Sequence, residues 1–584
     1  MKKNLLKGVA FCTTLLINVD AMAAETAELF FTTAEQTETQ AYQRRETVFL
    51  QLNDGDLNKE PDKQESVTVL VTSNLENQGS PAHISNISSG RNNVGNGSLK
   101  ATLVGDLVIG QTWELLALSS DVFLVTGSET GREPENLYLY NDIPYQTSNG
   151  GLGLEIEQGN IQFSAGDKLT FTVVPEEVTG EEITLTETSQ NSGVFTSSIP
   201  LTYDGSVQYA DTILNLNAVD KLRAFYTDTA NAQSTSEDIV ATAYFATTVI
   251  SGANYAQPTQ WDAEGSPYLI LGDISVPIGG SLSILAGTEV YLLANQDSRE
   301  YGRYSDKTEF VVEGAFEVQG TQENPVVIES FETHATKRDW GGIDLYDPEQ
   351  FAITHAKISN AALGIFYRSY TSGQNITIDE LSFTDSFSGL IISYCDVCDI
   401  SITNSTFENI SEETVSTYSN QSDIFFSNNT LRNARNTFFN NFDSVTISEN
   451  TFENSGEFFI HDVQQTLSFS NNVIQTNRGI TITTSYYAEE LDSITIVDNL
   501  IEGDAYNGLS LNVYSELDEP FVVARNTLCG FGNSGDSYGG EQYFDGAALN
   551  IVSEYFVSPT IESNSITQNE GIGVYLYGKV EPVF

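Results

Sequence analysis

The sequence predicts an all-β protein that ends in a right-handed parallel β-helix and begins with a β-sandwich region. Two observations favour the β-helix: a short repeat with an asparagine slot, and apolar residues that alternate with a period of two. The repeat runs through residues 375–578. In each copy an apolar residue is followed three positions later by an asparagine, or by Ser405 in the first copy, and we call this position the slot. Another apolar residue comes two positions after the slot.

The slot residues define the period of the repeat. From Ser405 the steps are 24, 21, 22, 27, 27 and 38 residues, and a period of roughly 20–30 residues is typical of solenoids. Side-chain amides stacked on successive coils can form a hydrogen-bonded ladder at a corner. The predicted ladder comprises Ser405, Asn429, Asn450, Asn472, Asn499, Asn526 and Asn564.

Alternation such as Ile480-Thr481-Ile482 has the period of a strand with one buried face, and the helical period of 3.6 is absent. A second strand in most coils begins next to a glycine, as at Gly389 and Gly479, and glycine accepts the backbone angles of a sharp corner.

Composition limits the classes of function. The 80 acidic and 25 basic residues give a net charge of −55, which argues against nucleic acid as a partner. Two explanations stay open for this charge: solubility in salty surroundings and specific sites for divalent cations. No cofactor is required by the sequence, and calcium is the ion that its acidic residues would accept.

The N-terminus has the pattern of a secretory signal. Three lysines precede an apolar stretch at 9–19, and Ala21-Met22-Ala23 is a cleavage site. Residues 1–23 are therefore predicted to be a signal peptide, which places the mature chain outside the cell, on its surface or in the periplasm. The mature chain contains no other stretch that could cross a bilayer.

The N-terminal region is predicted to be β structure after a leader at 24–45. It contains an acidic loop, then Leu185-Thr186-Glu187-Thr188, then Asn191-Ser192-Gly193-Val194-Phe195-Thr196. This pattern resembles the immunoglobulin-like β-sandwich modules of large bacterial surface proteins. The resemblance covers 46–77 and 178–250, and residues 78–177 are predicted to be a β module inserted between these halves.

A linker at 251–267 is predicted to precede the β-helix, which covers 268–584. The segment 268–290 and Trp340-Gly341-Gly342-Ile343 resemble the opening coils of secreted β-helix proteins with the pectate-lyase-like fold. That fold serves enzymes, adhesins and structural fibres, so it implies no single activity. Few residues follow the last predicted coil, and we expect a truncated chain or a covered end, because an open coil exposes apolar side chains.

Catalytic residues are sparse in the central coils. Their first outward row is mostly Ser and Thr, whereas a lyase needs a cation with a base and a hydrolase needs paired acids. Basic residues near acids occur in the early coils, where any active site is expected. These candidates are Lys337, Arg338, Asp339, His355 and Lys357.

An acidic loop offers the spacing of a calcium site. Positions 1, 3, 5, 9 and 12 of a calcium loop carry Asp54, Asp56, Asn58, Asp62 and Glu65. Lys59 replaces the usual glycine, and the flanks are strands rather than helices. Calcium binding and a simple acidic turn both stay open.

Cys395-Asp396-Val397-Cys398 is predicted to lie at a coil corner. The two thiols can form a local disulfide, and no further zinc ligands are evident nearby.

These observations favour a secreted or cell-surface structural or adhesive protein, with glycan contacts along the solenoid. Its partner would be an extracellular polysaccharide or another surface protein. The alternative is a polysaccharide lyase or glycoside hydrolase. The sequence leaves enzymatic activity open and favours its absence.

Overall fold

A computed structural model describes most of the chain. It covers residues 26–60, 62–103, 109–139, 145–148, 151–203, 207, 210–229, 236–476, 478–486, 490–505, 507–517, 520–531 and 546–583. The predicted signal peptide lies outside these residues. The chain divides into two compact units, Met1–Gly79 with Val178–Phe245, and Ser80–Glu177 with Ala246–Phe584.

The first unit is built on one eight-stranded sheet. Val48, Leu50, Leu185 and Phe195 are fully buried in its core. A short parallel pair, Leu201–Thr202 with Leu214–Asn215, lies outside this sheet. The immunoglobulin-like topology stays a prediction. In chain order the strands of the sheet are Glu28–Thr32, Ala41–Gln43, Val48–Asn53, Ser66–Ser73, Glu181–Glu187, Val194–Ile199, Val219–Asp228 and Glu237–Ala246.

The predicted leader differs from the structure. Glu28–Thr32 pairs antiparallel with Val48–Asn53 and buries Phe31, while Tyr42 donates its hydroxyl to the Thr32 carbonyl. These segments belong to the sheet because their apolar side chains complete its core. The strands are too short for a local pattern to reveal them.

The inserted module opens the second unit. Trp113, Phe123 and Phe171 are buried in its core. Its six-stranded sheet contains His83–Ser89, Gln111–Ala117, Val122–Gly127, Gly131–Arg132, Leu137–Tyr138 and Lys168–Val174. Its three-stranded sheet contains Ser98–Leu103, Tyr145–Gln146 and Leu152–Glu157.

A solenoid of about 12 turns forms the rest of the second unit, with parallel pairing between turns. We name its three faces sheets A, B and C in the order in which the chain crosses them. Sheet A contains Pro258–Trp261, Ser281–Leu285, Ala315–Gln319, Asp399–Thr403, Asp423–Ser427, Ser444–Ser448, Thr466–Ser470, Ser493–Val497, Phe521–Ala524 and Thr560–Glu562.

Sheet B contains Glu289–Leu292, Val326–Ser330, Thr451–Ser455, Val473–Thr476, Leu500–Gly503, Thr527–Cys529 and Ser565–Thr567. Sheet C contains Glu309–Val312, Gly342–Tyr346, Ile365–Arg368, Leu390–Tyr394, Phe458–Val463, Ile480–Thr484, Leu509–Val513, Ala547–Val557 and Ile572–Val580.

Some strands bend at a corner and serve two sheets. Gln350–Ser359 and Asn375–Thr384 join sheets A and B. Tyr268–Val276, Thr406–Tyr418 and Thr430–Asn440 join sheets B and C. Glu490–Leu491 pairs with Glu516–Leu517 in a small separate sheet.

The predicted linker also differs from the structure. Thr248–Asn254 pairs in parallel with Tyr268–Val276, and Pro258–Trp261 pairs with Ser281–Leu285. The solenoid therefore begins about a turn earlier than predicted. The prolines and the glycine at 258–267 predict a loop. The segment is instead part of the solenoid, because buried Trp261 packs on Tyr268 and Phe310 in the first layers of the core.

The A–B corner carries an asparagine ladder: Asn429, Asn450, Asn472, Asn499, Asn526 and Asn564. Each side-chain oxygen accepts the backbone N–H of the slot residue one turn before it, beginning with Ser405, at 2.9–3.1 Å. Each Nδ2 donates to a strand carbonyl of an earlier turn. The residue before the slot has the left-handed backbone conformation, with φ near 55° at Asn428 and 61° at Glu449. One tight turn is thus repeated along the solenoid.

Among the described residues, no helix has the length and apolar character needed to span a membrane.

Candidate functional site

Four tyrosines follow one another along the C–A corner, three of them exposed and Tyr394 half-buried. They are Tyr346, Tyr370, Tyr394 and Tyr418, which we call the tyrosine ladder. Tyr346, Tyr394 and Tyr418 end sheet C strands, and Tyr370 comes two residues after another. Each is 24 residues from the next, so every turn in this part of the solenoid contributes one ring to the same corner.

The rings face one another across turns. The centroids of Tyr370 and Tyr394 are 5.1 Å apart with planes at 30°, and those of Tyr394 and Tyr418 are 6.2 Å apart at 29°. Tyr346 meets Tyr370 at 6.4 Å and 63°. Tyr370 is 60% exposed and Tyr418 47%. The ladder is therefore an aromatic surface open to solvent.

Polar contacts hold the backbone beneath the rings. Asp347 accepts hydrogen bonds from the backbone N–H groups of Tyr370 and Thr371 and from the Ser369 hydroxyl. Burial raises the pKa of Asp347, but these hydrogen bonds outweigh burial and leave the pKa below its usual value. The carboxylate is therefore ionised at neutral pH, and it accepts hydrogen bonds that hold the backbone of the C–A corner.

The two predicted disulfide partners lie at the same corner. Cys395 follows Tyr394 directly, and the structure joins it to Cys398. Both cysteines are buried, and Ser419 donates its hydroxyl to the Cys395 carbonyl at 2.8 Å. Tyr394 thus projects from a covalently closed turn. Arg368 adds a cation 4.7 Å from the ring centre of Tyr346.

Two of the predicted catalytic candidates line a separate cavity of about 820 Å³, which we call the Lys337 cavity. Lys337 donates to the Ser411 hydroxyl at 3.0 Å, and burial lowers the pKa of Lys337. Arg338 lies 3.4 Å from the ring centre of Phe387. Glu329 and Asp385 also line this cavity.

The structure does not bring the other catalytic candidates into the cavity. Asp339 is buried and accepts hydrogen bonds from the hydroxyls of Ser330 and Thr336, a structural role. His355 is left-handed at the bend between sheets A and B, with φ near 46°. Lys357 lies on sheet B, opposite Val327 of the preceding turn.

The acidic loop forms a short 3-10 turn, Gly55–Leu57. The Asp54 carboxylate accepts the Asp56 N–H and the Tyr226 hydroxyl, and Glu65 accepts the Lys59 N–H. The described part of the chain contains no group of three or more His, Cys, Asp or Glu side chains arranged to hold a metal.

Two oxygens of this loop, Asp56 Oδ2 and Asn58 Oδ1, are buried without a hydrogen-bond partner among the described residues. Since the described carboxylates of this loop are not grouped to hold a metal, the residues as placed do not fit the ion. Calcium binding stays a prediction.

If calcium binds this loop, it raises the melting temperature of the wild-type chain and not that of Asp56→Asn. Equal melting temperatures of the wild type with calcium and with a chelator would contradict calcium binding.

A family model described as "Right handed beta helix region" matches residues 341–518. The solenoid of the second unit therefore contains a right-handed β-helix region. This finding and the strands of the structure confirm the predicted all-β fold class. The matched segment includes Tyr346, Tyr370, Tyr394 and Tyr418, so the whole tyrosine ladder lies in it. No curated protein matches the chain.

Sequence reasoning did not find the tyrosine ladder. Its signal was available, since four tyrosines recur at a constant step of 24 residues. The asparagine slot begins at Ser405 and therefore does not mark the turns of Tyr346 and Tyr370.

Proposed function

We propose that this protein is a secreted or cell-surface β-helix protein with a structural or adhesive role, which binds glycan on the tyrosine ladder without cleaving it. The observation that carries the proposal is the stack of exposed tyrosine rings along one corner. Exposed apolar surface of this kind marks an interaction site when it is contiguous. The buried disulfide beneath Tyr394 also suits an oxidising compartment outside the cytosol.

Saccharides match this surface chemically. A sugar ring presents an apolar C–H face and a rim of hydroxyls, and tyrosine presents an apolar face with a polar tip. Successive turns rise by about 4.8 Å, so the ladder offers one ring per turn to a ligand that is itself repetitive. The Asp347 contacts and the closed Cys395–Cys398 turn hold the backbone beneath the rings before binding, which lowers the entropy cost of binding.

The surroundings of the ladder favour binding over catalysis. Asp347 is a carboxylate beneath the rings, and its pKa lies below the usual range. A general acid needs a pKa near the working pH, so Asp347 is unsuited to protonating a leaving group.

Polysaccharide cleavage in the Lys337 cavity is the second candidate function. The specific observation in its favour is a half-buried lysine with a lowered pKa in a cleft, beside Arg338 and two carboxylates. An assay for new reducing or unsaturated ends on acidic and neutral polysaccharides tests this function. Activity that Lys337→Ala abolishes would overturn the binding proposal.

The ladder is tested by single substitutions. Tyr370→Ala and Tyr394→Ala are each expected to weaken binding to an immobilised glycan about 2- to 12-fold, because an aromatic stacking contact is worth about 0.5–1.5 kcal/mol. Affinity electrophoresis on a panel of soluble β-glucan, mannan and starch measures the effect. Tyr370→Phe keeps the ring and is expected to retain most of the binding.

Tyr301 supplies the matched control. It is 50% exposed and lies in a loop away from the C–A corner, so Tyr301→Ala removes a comparable ring. We expect it to bind like the wild type. If Tyr370→Ala and Tyr394→Ala bind glycan as tightly as the wild type, the tyrosine ladder is not the glycan-binding site.

A further inference from the structure

A second pair of tyrosines lies on the same corner, beyond the ladder. Tyr486 and Tyr514 follow the sheet C strands Ile480–Thr484 and Leu509–Val513. Their ring centroids are 3.9 Å apart and their planes differ by 15°. Tyr486 is 59% exposed, and the Tyr514 N–H donates to the Thr484 hydroxyl at 2.8 Å. We call these two residues the second tyrosine pair.

The distance along the axis follows from the order of strands in sheet C. Thr430–Asn440 and Phe458–Val463 separate the strand of Tyr418 from that of Tyr486. The axial distance from Tyr418 to Tyr486 is therefore three turn rises, or about 14 Å. Seven turns separate Tyr346 from Tyr514, or about 34 Å. A ligand that contacts both surfaces must span at least about 14 Å, and one that covers both in full must span about 34 Å.

The row between the two aromatic surfaces carries hydrogen-bonding groups, with the Asp462 carboxylate next to His461. Asn440 pairs in register with His461, and the His461 Nδ1 lies 3.2 Å from the Thr483 hydroxyl. Burial lowers the pKa of His461, which keeps the ring neutral at pH 7. His461 also stacks on Phe459 at 5.3 Å. The row thus offers hydroxyl, amide and imidazole groups to a ligand.

We propose that the C–A corner is one extended strip that binds a single uncharged, linear polysaccharide chain lying parallel to the β-helix axis, held by the tyrosine ladder at one end and the second tyrosine pair at the other. This inference rests on the proposed function and names its ligand class. With 80 acidic and 25 basic residues, the chain repels polyanions. A surface repeated turn by turn fits a repeating polymer better than a folded protein.

Two linked contacts have a measurable signature. When one chain occupies both surfaces, the second contact becomes intramolecular, and the affinity can exceed that of either contact by 10²–10⁴-fold. An oligosaccharide that is shorter than the gap of about 14 Å between the two surfaces reaches only one of them and lacks this gain. We therefore expect the wild type to bind an uncharged polymer at least about 100-fold more tightly than short oligosaccharides of the same sugar.

The test compares full-length wild type with two double variants by isothermal titration calorimetry. Tyr486→Ala/Tyr514→Ala removes the second pair and Tyr370→Ala/Tyr394→Ala removes the centre of the ladder. The first is expected to lose about 100-fold of the polymer affinity and to keep oligosaccharide binding at the ladder. Tyr486→Phe/Tyr514→Phe retains both rings and is expected to keep the polymer affinity, which separates lost stacking from altered folding.

Two outcomes overturn the inference while the proposed function stands: Tyr486→Ala/Tyr514→Ala binds polymer like the wild type, or a polyanion such as dextran sulfate binds more tightly than the uncharged polymer. If the wild type binds neither the short oligosaccharides nor the polymer, the proposed function fails and the inference fails with it.

Discussion

Replacing Asn472 by alanine is expected to lower the free energy of unfolding of the β-helix by about 3 kcal/mol. Asn472 is fully buried in the middle of the asparagine ladder. Its Oδ1 accepts both the backbone and the side-chain N–H of Asn450, and its Nδ2 donates to the Ile447 carbonyl and to Asn499. Alanine leaves at least two buried polar groups without partners, and each costs about 1–3 kcal/mol.

Ser468→Ala is the matched control in the same turn. Ser468 is only partly buried, on the outward row of sheet A opposite Thr446 and Thr495. Its substitution is expected to change stability by less than about 0.5 kcal/mol. Urea unfolding followed by circular dichroism measures both variants. A similar small loss in both would mean that the asparagine ladder contributes little to stability.

The second large effect concerns two carboxyl groups buried in the early turns. Asp273 and Glu309 are both fully buried. Asp273 accepts the backbone N–H groups of Tyr301, Gly302 and Glu309. Glu309 accepts those of Arg303 and Tyr304 with one oxygen, and its other oxygen has no hydrogen-bond partner among the described residues. The two side chains hold the loop that precedes Glu309–Val312.

Burial raises the pKa of both groups. That of Glu309 rises from 4.5 to about 7, with the charges of Asp273 and Asp344 adding to the effect, and that of Asp273 rises from 3.8 to about 6, with Asp297 adding. Arg303 is engaged by Asp344 at 2.7 Å. The folded state therefore holds more protons than the unfolded state between about pH 4 and pH 7.

Stability is consequently expected to fall as the pH rises from 5 to 8. Ionising a group whose pKa is raised in the folded state costs about 1.4 kcal/mol per pKa unit, so Glu309 costs about 3 kcal/mol at pH 8. Glu309→Gln should raise stability at pH 8 by up to this amount and flatten the pH dependence between pH 6 and pH 8. Thermal unfolding across this range measures both effects.

Glu323→Gln removes the same charge from an exposed position. It controls for general repulsion in a chain of net charge −55 and is expected to leave the pH dependence unaltered. A stability that rises from pH 5 to pH 8, or a Glu309→Gln variant that is less stable at pH 8, would contradict the burial argument.

The sequence was most informative where one side of each strand is buried. Buried rows such as Ile447, Phe469 and Ile496 alternate with outward polar residues, and this alternation is readable without coordinates. The asparagine slot could also be predicted, because it lies at a fixed sequence spacing from these buried residues. The β-helix was therefore predictable, and most of its turns could be aligned in advance.

Elements that depend on distant partners were not predictable. Glu28–Thr32 is a strand because Val48–Asn53 lies beside it, and Pro258–Trp261 is one because Ser281–Leu285 follows a turn later. Asp273 and Glu309 were missed for another reason. Acidic residues are normally exposed. The local sequence therefore does not reveal that these two carboxyl groups are buried and accept hydrogen bonds from the backbone of a loop.

Of the catalytic candidates, Lys337 and Arg338 share a cavity, whereas Asp339 is committed to hydrogen bonds with Ser330 and Thr336. Sequence proximity alone could not separate these roles, because the direction of each side chain depends on the turn in which it lies. The tyrosine ladder shows the reverse case: residues 24 apart in sequence become neighbours once the turns are stacked.

Hydroxyl-radical footprinting of the wild-type chain, with and without a bound polysaccharide, tests the location of the glycan site most directly. We expect oxidation of Tyr346, Tyr370, Tyr394 and Tyr418 to fall when the ligand is present, while oxidation of exposed Tyr301 stays constant. Protection of Phe387 in the Lys337 cavity, with the four ladder tyrosines oxidised as before, would contradict glycan binding on the tyrosine ladder.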